Sequence, residues 1–113
     1  MKNQYFESGN SDWQQVNEGM KRMIMAYDEN IMMVKVHFSK DGIGAMHTHI
    51  HSQASYVLSG VFEITIGKQT RTLKQGDCFI VPQNTMHGAV CIREGTLIDV
   101  FSPARKDFLE GSS

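Results

Sequence analysis

Three of the five histidines fall in one short stretch, Met46-His47-Thr48-His49-Ile50-His51-Ser52-Gln53, at alternate positions, and the stretch ends in a side-chain amide. In a β-strand, alternate side chains leave the same face. Read as a strand, the segment aims the imidazoles of His47 and His49 in one direction, with further donors close behind. Imidazole is the commonest protein ligand for transition metals. Two on one face make half of a metal site, to be completed from elsewhere in the chain. His51 shares the parity and is expected at the rim, beside the ion rather than on it.

The elements that must position these groups are strands. Met20 to Tyr27 and Ile31 to Phe38 read as two strands. In the second, Met32, Val34, Val36 and Phe38 take one face, and Lys35 and His37 the other. Ala54 to Leu58 follows the histidines, and Ser59-Gly60 reads as a turn. In Val61 to Ile66, Phe62, Ile64 and Ile66 alternate with Glu63 and Thr65. Gly67-Lys68 reads as a hairpin turn into Gln69 to Leu73, and Lys74 to Asp77 as another turn. Cys78 to Val81 is a short apolar strand closed by Pro82. His87 to Ile92 and Thr96 to Phe101 form a last pair around an expected turn at Arg93-Glu94-Gly95. Pro103 ends the pattern and leaves a polar tail from Ala104. Short strands at regular spacing, without a three-turn amphipathic helix, predict an all-β sandwich or barrel. One domain over 1–113, with its core at about 13–102, accounts for the whole pattern.

Composition narrows the function. The chain has 113 residues, 41% hydrophobic and 20% charged, with a net charge of −1. That supports a real core without disulfides. No basic patch points to nucleic acid, and no apolar run approaches a membrane span. The N-terminus lacks an apolar signal core, so a cytoplasmic protein is expected. Cys78 and Cys91 form no Cys-x-x-Cys pair and read as buried, reduced, small hydrophobes. The methionines read mainly as core filling. The apolar strand Met20 to Ala26 is expected to serve as the edge of a homodimer.

The spacings then carry a resemblance. After His47-x-His49 come three residues and Gln53, then six residues and Gly60; later, Gly76 is followed by five residues and Pro82, and Asn84 by two residues and His87. This resembles the two motifs of the cupin superfamily, a small double-stranded β-helix or jelly-roll barrel. The resemblance implies one divalent transition metal ion (Zn, Ni, Fe or Mn) on His47, His49, Gln53 and His87. Two departures matter. Asn84 stands where the motif usually has Gly, a mild change because Asn tolerates left-handed backbone. Gln53 stands where it usually has Glu, so the four ligands are neutral. The ion then keeps its charge for an anionic ligand.

A narrower resemblance lies in His47 to Gln53 with Tyr56-Val57-Leu58-Ser59-Gly60, in Pro82 to Ala89, and above all in Leu97-Ile98-Asp99-Val100-Phe101-Ser102-Pro103-Ala104-Arg105-Lys106-Asp107-Phe108-Leu109. These look like the pectin-degradation cupins of the KdgF family. That resemblance implies conversion of 4,5-unsaturated uronates, released from pectin or alginate, to the linear keto form. Asp99 would be the catalytic acid and Arg105 the partner of the substrate carboxylate. Phe101 would form a wall for the sugar, with Tyr56 and His51 also lining the pocket. The competing readings on the same fold are a metal-dependent dioxygenase and a non-enzymatic cupin that binds a sugar or another small molecule.

Overall fold

A strand with one apolar face must bury that face. In the computed structural model, which describes residues 4–110, Met32, Val34, Val36 and Phe38 are no more than 3% exposed. Their strand, β3 (Met32–Phe38), is one of eight among the described residues. The others are β1 (Gln14–Asn17), β2 (Met20–Tyr27), β4 (Ile43–His47), β5 (Ser52–Ile66), β6 (Gln69–Lys74), β7 (Cys78–Val81) and β8 (His87–Ser102). A short helix, α1 (Lys106–Leu109), follows.

Two long strands organise the rest. β5 and β8 pair antiparallel from Ser52 opposite Ser102 to Ile66 opposite His87. The first half of β5 and the second half of β8 lie with β7 on one side and with β3, β2 and β1 on the other. The opposite halves lie with β6 and β4. The two halves face each other across the core, as in a jelly roll. Phe38 from β3 meets Phe62 from the far half of β5 edge to face, with centroids 5.1 Å apart. That geometry suits the ring quadrupoles.

The bends explain a difference from the sequence expectation. Ser59-Gly60 and Arg93-Glu94-Gly95 are not turns. They are irregularities inside continuous strands, where the β5–β8 register shifts between Val57 and Phe62. Gly60 has φ +85°, and a Cβ there would sit 2.6 Å from Gly95 Cα. Glycine signals the same backbone need in a bulge as in a turn, so composition alone does not separate the two. Gly67 and Gly76, with φ of 62° and 95°, do occupy turns.

Other expectations are corrected by the packing. The chain after Pro103 is not a loose polar tail. Ala104 is 6% exposed, and Phe108 packs against the core. Ordered structure therefore runs past the expected core limit of 102. The expected domain extent also takes in 1–3 and 111–113, which lie outside the described residues. β1 pairs with β2 only from Met20 to Arg22, so of the expected edge Met20 to Ala26 the first three residues are covered and the rest have no β1 partner. Cys91 is buried, but Cys78 is exposed, since it falls on the outer parity of β7. Met23 and Met32 fill the core, whereas Met33, Met46 and Met86 are exposed.

Gly60→Ala should lower the unfolding free energy by roughly 3 kcal/mol, from left-handed strain plus a backbone clash. Gly9→Ala, with open space around it, should change it by about 0.5 kcal/mol or less. Chemical denaturation measures both, and equal midpoints for the two variants would contradict the close crossing.

Candidate metal centre and cavity

The histidine stretch is not one strand. His47 ends β4, residues 48–51 form a bend, and Gln53 lies in β5. Strand parity therefore does not align His47 with His49; the loop does. Its fold is fixed from the second motif. Asn84 takes φ 60°, and its N–H donates to the His49 carbonyl at 2.8 Å. The fourth residue arrives by strand pairing: His87, the first residue of β8, is the register partner of His47.

The ligand atoms of His47, His49 and His87 lie within 4.8 Å of one another. Each ring is held from behind by a backbone carbonyl. Nδ1 of His47 is 2.7 Å from Ala45 O, Nδ1 of His49 is 2.9 Å from His51 O, and Nδ1 of His87 is 2.9 Å from Thr85 O. A carbonyl only accepts, so the proton of each neutral ring belongs on Nδ1. Each Nε2 then presents a lone pair, the form in which imidazole binds metal.

Two further observations fit a cation. His87 Nε2 is buried without a protein partner. His49 Nε2 stands 3.0 Å from Gln53 Oε1. With the His49 proton on Nδ1, both of these atoms are acceptors, and two facing lone pairs repel unless a cation lies between them. Ligands at about 2.1 Å from an ion, at right angles, stand about 3.0 Å apart. His47, His49, His87 and Gln53 are thus a fitting donor set. Burial, above all, lowers the His87 pKa to about 4; its bond to Thr85 opposes this, while the charges of His47, His49 and Arg105 add to it. Burial likewise lowers His49, against the Gln53 amide oxygen, which would favour a protonated ring. His37 stands apart on β3, bonded to Glu94 and Thr96, as an ordinary strand histidine.

A cavity of about 330 Å³ adjoins these ligands, and His47, Gln53, His87, Asp99, Phe101 and Arg105 all line it. Strand parity explains the convergence. Gln53 and Ser55 share the inner face of β5, Asp99 and Phe101 that of β8, and Ser55 lies opposite Asp99. The Gln53 amide donates to Ser55 Oγ at 2.9 Å, and the Ser55 hydroxyl donates to Asp99 Oδ1 at 2.6 Å. Burial raises the Asp99 pKa to about 6, against the opposing Ser55 hydrogen bond and Arg105 charge. Phe101 is 3% exposed and meets His49 edge to face at 5.7 Å.

The remaining expected residues divide. Arg105 lies in the cavity wall, over the rings of Phe101 (5.1 Å) and Phe108 (4.2 Å), with a forked bond to Asp107 at 3.1 and 2.8 Å. His51 lies beside the cluster, against His49 and Phe101, and is not among the three converging rings. Tyr56 is corrected: it stands on the outer face of β5 with Met33, Ile98 and Val100, away from the cavity. Sequence reading missed Ser55, Arg22 and Phe108. Ser55 was recoverable from its parity with Gln53, and Phe108 from being apolar in a polar tail. Arg22, on β2, gives no local signal.

Fold and site together define the class. The Cupin_2 cupin domain matches residues 34–101, and the chain belongs to the cupin family. Within it, the chain is 46% identical over 107 residues to the pectin degradation protein KdgF of Dickeya dadantii (strain 3937), covering 93% of this chain and 97% of that protein. The solved structure of KdgF from a Halomonas species has a TM-score of 0.89 and 38% identity, over 95% of this chain and 99% of the other. An RmlC-like cupin from Shewanella frigidimarina NCIMB 400 has a TM-score of 0.91 and 38% identity, over 95% and 96%.

Chelator competition should give about one divalent transition ion per chain. His87→Ala should weaken that binding by roughly 100-fold or more. Affinity should fall as pH drops, because the rings bind metal only when neutral. Equal metal content in wild type and His87→Ala would remove the centre as described.

Proposed function

We propose that this cavity opens the ring of a 4,5-unsaturated uronate monosaccharide, the product of lyase cleavage of pectin or alginate, to the linear keto form. The observation that carries the reading is the Gln53–Ser55–Asp99 chain, which joins a donor beside the histidine cluster to a half-buried carboxyl in one cavity. The similarity to the pectin degradation protein supports the substrate class.

The chemistry asks for few groups. The substrate is a cyclic enol ether with a carboxylate. The anomeric hydroxyl loses its proton as the bond from the anomeric carbon to the ring oxygen breaks. The enolate left behind takes a proton on carbon and becomes a ketone, and the proton lost from the anomeric hydroxyl restores the acid through solvent. No atom is gained or lost. The bound ion would act as a Lewis acid for substrate oxygens. Asp99 delivers the proton to carbon. Its Oδ1 accepts the Ser55 hydroxyl, so the acidic proton resides on Oδ2. Its raised pKa keeps that proton in place in mildly acidic solution, up to a pH of about 6. Arg105 pairs with the substrate carboxylate, and Phe101 supplies an apolar wall for the ring.

The wild-type protein should speed the loss of ultraviolet absorbance from an unsaturated uronate monomer. Asp99→Asn should cut that rate by about 10²–10⁴-fold while leaving metal content unchanged. Buffer-like behaviour of both proteins sinks the proposal. The sign with pH follows from the raised value. An acid with pKa about 6 is protonated below it, so the rate should fall as pH rises through that region. Ser55→Ala removes a hydrogen bond that favours the carboxylate and should move this limb to higher pH. A limb fixed in Ser55→Ala would exclude Asp99 as its origin.

A further inference from the structure

Two guanidinium groups converge on one ring in the cavity wall. The Arg22 guanidinium carbon lies 3.7 Å from the Phe108 ring centroid, and that of Arg105 lies 4.2 Å from the same centroid. The two charges therefore stand within about 8 Å of each other, where salt screens them only in part. Arg22, Arg105 and Phe108 all line the cavity that holds His47, His87 and Asp99. Arg22 reaches it from β2, outside both histidine motifs.

The charges in this corner do not balance. Arg105 has a carboxylate, bonded through its Nε and Nη2 to Asp107. Arg22 has a neutral acceptor, with its Nε donating to Gln14 Oε1 at 3.1 Å. One carboxylate thus serves two fixed cations. Burial first, and the charge of Arg105 second, lower the Arg22 pKa, while Asp107 opposes them. Asp99, which lines the cavity, carries a proton below its pKa of about 6. Stacking on Phe108 holds both planar forks with little freedom to lose on binding. Such a corner favours an entering anion, and a carboxylate matches the forks.

We propose that Arg22 and Arg105, spaced by Phe108, form a carboxylate subsite, and that Arg22 is the residue that selects an acidic sugar over its neutral counterpart. The sugar part of this assignment rests on the uronate reading; the charge of the ligand does not.

The test needs no turnover. Nuclear magnetic resonance titration of the metal-loaded protein with D-galacturonate and with neutral D-galactose, at fixed ionic strength, gives a selectivity ratio. Wild type should prefer the uronate, and Arg22→Gln should cut that preference about tenfold or more. Arg22→Lys should restore part of it, since the charge returns without the fork. Arg22→Met, which keeps an apolar stem against Phe108, should repeat the loss if the glutamine variant does not fold. A purely structural role would weaken both sugars together and leave the ratio unchanged; that result overturns the proposal, as does a wild type without preference for the acid. A protein that selects the uronate through Arg22, yet never opens an unsaturated one, retains the subsite and removes the reaction.

Discussion

The antiparallel pairing of β5 with β8 is the interaction on which the other parts depend. It runs the full length of both strands, and it bends where Gly60 crosses Gly95. On one side of the bend the pair holds Gln53, Ser55, Asp99 and Phe101. On the other, β8 begins with His87 opposite His47 of β4. Gln53, His87 and the carboxyl are therefore brought together by a single pair of strands, onto which β4 and the loop after it bring His47 and His49. Most of these contacts join residues far apart in sequence. The site cannot assemble in a local fragment, because its loop-closure entropy is repaid only by the whole barrel.

The buried amide and hydroxyl of this core are tolerated because each has a named partner. Gln53 and Ser55 are 7% and 2% exposed, and their hydrogen bonds run in sequence to Asp99. The rings of His47, His49 and His87 are tied to main-chain carbonyls. Among the described residues, what stays unsatisfied is His87 Nε2, the His49–Gln53 contact and, on the ring beside His49, His51 Nδ1. An unmet demand gathered in this way marks a ligand site rather than a packing fault.

Much of the site was legible because its residue types are chemically restrictive. His47, His49 and His87 matched on spacing. Asp99 was conspicuous as an acid inside an apolar strand, where parity with Phe101 then turned it inward. The positive φ of Asn84 was foreseeable from its place in the second motif. What was not legible lay in the third dimension. Gly60 and Gly95 carry the same signal whether a chain reverses or bulges, so two long bent strands read as four short ones. Tyr56 sits one residue from Ser55, and a single step in a strand changes faces. The final helix needed Phe108 to be weighed as an anchor, although its neighbours are polar. Arg22 enters the cavity only because β2 lies beside β3, a neighbour relation that local pattern does not encode.

The carbonyl bond behind each imidazole also sets how the centre exchanges with solvent. His49 and His87, pushed by burial toward the neutral form, already present their lone pairs at neutral pH, and Gln53 has no proton to give up. A thiol or protonated carboxyl site must expel protons to take an ion, which ties its affinity to pH. Near pH 7 these three donors have nothing to expel. Ion capture there draws no proton from His49, His87 or Gln53.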